Sequence, residues 1–194
     1  LRPAALHLRL HRVRQLEVNP DSGISMGTGL RALLRMDPDV LMVGEIRDEE
    51  SAFTACQAGA AGRFVLGTVH ARDAASAIEL LQFLSLPSYL LSSTLRMVIA
   101  QKLVRVLCEH CKKERPLRAA EREVFIDEGM EIPDVIYDAE GCEECRGYGF
   151  QGRTGAFEVA NVDEDLEEEI ADGAGAAELR ESLRDIEVPT VQQD

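Results

Sequence analysis

Tryptophan is missing from these 194 residues, and aromatic side chains make up only 5% of them. Proteins that hold single-stranded nucleic acid stack bases on aromatic rings set among basic residues. Duplex binders need clustered lysine and arginine facing phosphates. A formal net charge of −14, with no aromatic–basic interleaving, weighs against both. No apolar run approaches the roughly 20 residues that cross a bilayer. Residues 1–10 have a basic flavour but no apolar stretch leading to a cleavage site, so they do not read as a signal peptide. A cytoplasmic protein is the expectation. The phosphate-cradling pattern G-x-x-x-x-G-K-[ST] occurs nowhere, and with it the loop's lysine and Mg²⁺-holding hydroxyl are absent from this stretch.

What is present is enough for one sizeable core and a small satellite, with 45% hydrophobic and 29% charged residues. The chain is organised around residues 36–48, Met-Asp-Pro-Asp-Val-Leu-Met-Val-Gly-Glu-Ile-Arg-Asp. The run 40–43 between turn signals predicts a strand buried on both faces, as in a parallel sheet. Its carboxyl end would deliver Glu45 to the sheet edge where open α/β folds bind ligands. A carboxylate there beside Arg47 suits metal binding, or activation of a water next to a phosphate.

Helical spacing of Leu30, Leu33 and Leu34 predicts a helix over 27–36, stopped by Pro38. The cluster at 18–23 reads as a turn. Asp48 is a good N-cap for a helix over 49–60 ended by Gly62, in which Cys56 reads as a small buried hydrophobe. A second strand over 64–69 then ends at His70. Strand, helix, strand at this spacing is a βαβ unit, whose parallel strands put Glu45 and His70 on one edge. Asp73 caps a further helix through Leu84. Residues 89–107 carry Leu91, Leu95, Val98, Ile99, Leu103 and Val106 on one side and Arg96, Lys102 and Arg105 on another, which predicts a long amphipathic helix.

That segment leads into Cys108-Glu-His-Cys111, paired some thirty residues on with Cys142-Glu-Glu-Cys145. Two C-x2-C knuckles can wrap one tetrahedral Zn²⁺, and in a cytosolic setting a metal is favoured over two disulfides. His110 could replace a neighbouring cysteine, but four thiolates already satisfy the ion. A closed four-thiolate site has no open position for substrate, so its role would be structural. Between the knuckles a helix is expected over 119–130 and a turn at 132–133. The glycine-rich stretch 147–155 reads as tight turns entering a strand at 156–159. Acidic helices follow over 164–170 and 176–186. The three segments expected are 1–107, a zinc lobe at 108–145, and a carboxyl-terminal strand with acidic helices at 146–194.

Residues 34–48, together with Gly67-Thr-Val-His70-Ala-Arg-Asp-Ala74, resemble the signature and histidine box of the type II secretion and type IV pilus assembly ATPases. Val98-Ile-Ala-Gln-Lys-Leu-Val-Arg105, the tetracysteine lobe and Gly152-Arg-Thr-Gly155 follow in the family's order. The resemblance covers about 16–172, weakens to 184, and does not include 1–14. It implies a RecA-like α/β P-loop NTPase core, here partial, with a zinc lobe and helical tail. The motor would assemble as a homo-hexamer at the cytoplasmic face of the inner membrane, on the platform and cytoplasmic components of a secretion or pilus machine. ATP, Mg²⁺ and Zn²⁺ are the cofactors implied. Glu45 would end the Walker B strand, orienting water and supporting Mg²⁺, with Asp39 at that strand's start. Arg47 would lie at the nucleotide, and His70 near the γ-phosphate. Cys108, Cys111, Cys142 and Cys145 match the zinc ligands, and such a lobe favours secretion or pilus extension over retraction. In the family the phosphate loop lies upstream. The chain therefore reads as a carboxyl-terminal fragment, either of a working motor or of an inactive zinc-bearing docking module.

Overall fold

The computed structural model describes residues 10–18, 23–127, 129–186 and 188–190. All but the last of the residues weighed as a signal peptide, and most of the turn expected at 18–23, lie outside that description. The described residues form two compact units, one within 10–98 with 160–186 and the other within 99–159 with 188–190.

The first unit is built on the βαβ pattern. Helix α1 (Met26–Leu34) opens with Ser25, whose hydroxyl accepts from the Thr28 amide. Strand β1 (Val40–Val43) follows Pro38, and helix α2 (Glu49–Ala60) starts at Asp48, whose carboxylate accepts from the Ser51 amide at 2.8 Å. Gly62 leaves α2 with φ +85°, a backbone that costs glycine little. Strand β2 (Phe64–Gly67) then pairs parallel to β1, with Val40 opposite Phe64 and Val43 opposite Gly67. Leu41 and Val43 pack with Leu30, Ala55 and Ala58 into one apolar cluster. Burial in β1 alternates, leaving Val40 and Met42 exposed. This corrects the expectation of a strand covered on both faces. Among the described residues only α1 and α2 supply a cover, and they lie on one side.

Helix α3 (Ala74–Phe83) is capped by Asp73, and α4 (Ser88–Thr94) follows the Pro87 turn. Helices α6 (Glu164–Asp172) and α7 (Ala176–Asp185) close this unit. Ile78, Leu91, Ile170 and Leu179 are fully buried.

The long helix expected over 89–107 does not form. It stops at Thr94, and Met97–Leu107 is a strand, β3, paired with β6 (Phe150–Asn161). Val98, Ile99, Val104 and Val106 are β-branched and fit a pleated surface. A partner strand some fifty residues on outweighs the local helical period.

In the second unit β4 (Lys112–Arg115) pairs antiparallel with β5 (Ile136–Ala139), and helix α5 (Ala119–Asp127) lies between them in sequence. Gly149 has φ +74°, and a Cβ there would stand 2.6 Å from the Cβ of Ala139, so glycine is required for both conformation and space.

Candidate functional site

Parallel pairing continues past the ends of β1 and β2 and shapes the edge beyond them. The Ile46 amide donates to the Thr68 carbonyl at 2.8 Å, and the Thr68 hydroxyl donates to the Gly44 carbonyl at 2.6 Å. Gly67 leaves room for Ile46, whose Cδ1 would lie 2.7 Å from a Cβ at that position. Residues 44–47 are thus pinned against 67–68, and Glu45 is turned inward, with only 9% of its side chain exposed.

Glu45 is held there by the Arg47 guanidinium and the His70 ring. Its Oε1 accepts from Arg47 Nε and stands 3.0 Å from His70 Nε2. A hydrogen bond from the Arg47 guanidinium outweighs burial and holds the Glu45 carboxyl below the usual carboxylate range, while Arg47 is raised in turn by Glu45. The carboxylate is therefore charged at neutral pH. Its partners are far more open, with side chains 61% (Arg47) and 85% (His70) exposed. One sheltered anion, one exposed guanidinium and one exposed imidazole share a sheet edge. That set can bind a metal, polarise a water or receive an anion.

Three of the four residues expected at a nucleotide therefore meet. Asp39 does not join them. It lies exposed at the start of β1, where its carbonyl accepts from the Phe64 amide, with the strand between it and Glu45.

The second cluster is the tetracysteine. Sγ atoms of Cys108, Cys111, Cys142 and Cys145 all lie within 4.8 Å of one another. Individual separations are 3.9 Å (Cys108–Cys142), 3.8 Å (Cys111–Cys145) and 3.7 Å (Cys142–Cys145). A tetrahedral Zn–S shell of about 2.3 Å has edges near 3.8 Å, so the donor set fits that ion. Backbone amides aim at the sulfurs: Gly141 at Cys111 (3.3 Å), Cys142 and Gly149 at Cys145 (both 3.1 Å). Burial pushes the Cys111 thiol up to about 12. At Cys145 burial acts the same way but is outweighed by the two amide donors, bringing it down to about 6. One thiolate in the cluster opposes the next, a repulsion that a bound cation would remove. His110 takes no part in the cluster. Cys56 stands apart, its thiol raised by burial.

Two features escaped the sequence. Thr68 braces the turn that carries Glu45, and Arg180 on α7 reaches Asp73, 107 positions away. The first had a signal, a hydroxyl next to the strand end. The second had none.

The family model described as Type II/IV secretion system protein matches residues 5–194. Type II secretion system protein E of Aeromonas hydrophila is 41% identical over 187 residues, 95% of this chain and 36% of that protein. The type IV pilus assembly ATPase PilB of Thermus thermophilus is 38% identical over 183 residues, 94% of this chain and 21% of that protein. The chain thus spans about a fifth to a third of the length of these relatives. Among solved structures, the Yersinia pseudotuberculosis ATPase DotB superposes with TM-score 0.55 at 23% identity, over 86% of this chain and 34% of that one. The pilus retraction motor PilT with bound ADP gives 0.54 at 24%, over 85% and 37%. These likenesses establish an α/β fold shared with part of those two structures, and on the match over residues 5–194 the chain belongs to the type II/IV secretion system protein family.

Proposed function

We propose that this chain is part of a motor that couples ATP hydrolysis to type II protein secretion or type IV pilus assembly. The observation that carries the reading is the meeting of Glu45, Arg47 and His70 at the carboxyl ends of two parallel strands. Glu45 is the catalytic carboxylate, buried and charged, positioned to orient a water and to support Mg²⁺. Bound Mg²⁺ would neutralise charge on the transferring phosphoryl group. Arg47 and His70 are exposed enough to turn from Glu45 toward phosphate oxygens, and that exchange of partners reports nucleotide state. The tetracysteine binds Zn²⁺ and closes the lobe, which favours secretion or extension over retraction.

Assembly as a homo-hexamer, at the cytoplasmic face of the inner membrane and on a membrane platform with its cytoplasmic components, belongs to the same proposal. Peripheral attachment is part of that proposal, and no described helix is long and apolar enough to cross a membrane. The 194 residues contain no phosphate loop, which favours a second reading of this stretch by itself: a zinc-bearing docking module with no hydrolysis of its own.

In a full-length protein carrying its phosphate loop, Glu45→Gln should lower kcat by about 10²–10⁴-fold with ATP binding intact. Unchanged turnover would remove Glu45 from the chemistry. The 194-residue chain alone should show no rise in Tm with equimolar ATP. A rise would overturn the second reading.

A further inference from the structure

The loop presenting His70 runs into α3, and what holds that helix is α7. Asp73 Oδ1 accepts from the Ser76 amide at 2.7 Å as the N-cap. Arg180 Nη2 donates to both Asp73 oxygens, at 3.3 and 3.2 Å, and to the Ser76 hydroxyl at 3.1 Å. The tie is returned one turn along, where Glu79 Oε1 accepts from the Ala176 amide at the start of α7, at 3.0 Å. Each helix therefore anchors the other's amino-terminal end, over buried Ile78, Leu179 and Leu183. The Asp73 and Arg180 side chains are largely sheltered, 21% and 31% exposed, so solvent competes only in part.

We propose that Arg180 is a positioning residue for His70: by fixing the Asp73 carboxylate on the first turn of α3, it sets the path of residues 70–73 and hence the approach of His70 to Glu45. A change in the seating of α7 would then reach residues 70–73 through the Arg180 guanidinium, which shares Asp73 Oδ2 and the Ser76 hydroxyl with Arg72 Nε at 3.4 and 3.3 Å. What His70 does once placed rests on the proposed function, but the placement does not, and its test contains no nucleotide.

The experiment uses the 194-residue chain with Arg180→Met, Arg180→Lys and Asp73→Asn, read by amide exchange and by the ring resonances of His70. Arg180→Met should speed exchange at the Ser76 and Ala77 amides about tenfold and move the His70 ring resonances toward those of a Glu45→Gln chain. Arg180→Lys, which keeps the charge and a donor, should restore most of both. Asp73→Asn combined with Arg180→Met should add little to either alone. Two results overturn the proposal. One is unmoved His70 resonances in Arg180→Met. The other is equal acceleration throughout α6 and α7 with no rescue by lysine, which would make Arg180 a general fold determinant. Failure of ATP turnover in Glu45→Gln or His70 variants would bear on the proposed function and leave these outcomes unchanged.

Discussion

If the four cysteines hold Zn²⁺, removing it should unfold the second unit while the first stays folded. Among the described residues between 99 and 159, the buried apolar side chains are Cys108, Cys145 and Ala156. Helix α5 buries none of its residues. Even a fully buried leucine contributes only about 1.5–3 kcal/mol, and this unit holds none, whereas ordering each residue costs about 1–2 kcal/mol. Apolar burial cannot sustain residues 108–145. Four sulfurs at tetrahedral spacing can, since structural Zn²⁺ supplies roughly 10–16 kcal/mol of apparent binding free energy in small zinc-finger peptides. The first unit has Leu41, Val43, Ile78, Leu91, Ile170 and Leu179 at its disposal and needs no ion. The assay is exchange mass spectrometry before and after chelation, with metal counted in parallel. One zinc per chain is expected, and its removal should strip protection from 108–145 while 41–43 and 74–83 keep theirs. Cys108→Ser or Cys142→Ser should do the same. Full protection of 108–145 in protein with no measurable metal would refute the reasoning.

Other expectations follow from single contacts. Asp48→Ala removes the 2.8 Å cap on Ser51 and should destabilise the first unit by about 1 kcal/mol, read as a lower Tm. Leu179→Ala opens a cavity at a fully buried site between α7 and α3 and should cost about 3 kcal/mol by denaturant titration. Thr68→Val deletes the hydroxyl donated to Gly44 and should speed exchange of the Ile46 amide without unfolding the sheet, as seen by amide exchange. In the lobe, hydrogen bonds from Arg115 bring the Glu121 carboxyl down to about 2 from 4.5. A lowered folded pKa means that the contribution of Glu121 is complete above about 4.5 and is lost as pH falls toward 2. A ¹³C titration should therefore find Glu121 fully charged over the whole pH range in which the lobe keeps its metal, and Arg115→Met should move the onset of its protonation up into that range.

The βαβ unit was legible because its signals are local. Asp48 and Asp73 sit one residue before periodic segments, and both prove to be caps. Short apolar runs separated by a helix leave parallel pairing as the natural topology, and parallel pairing alone brings Glu45 and His70 to one edge. The cysteines were legible for a related reason: a C-x2-C knuckle is a local geometry, and two of them specify a tetrahedron wherever the chain between them runs.

What failed depended on partners far away in sequence. Residues 97–107 fit a helical period as well as a strand alternation, because Val98, Ile99, Leu103 and Val106 satisfy parts of both. The decision lies in β6, whose pairing supplies backbone hydrogen bonds that a helix would otherwise make internally. Arg180 is the same case in the polar domain. Nothing in the spacing of 176–185 distinguishes it from Arg184, and only the packing of α7 on α3 brings its guanidinium to Asp73, beside that of the neighbouring Arg72. Cap, turn and knuckle chemistry therefore reveals where the reactive groups stand, while the contacts that hold them in place come from pairings remote in the chain. A substitution at Arg180 should accordingly disturb the His70 loop, although no sequence window contains both.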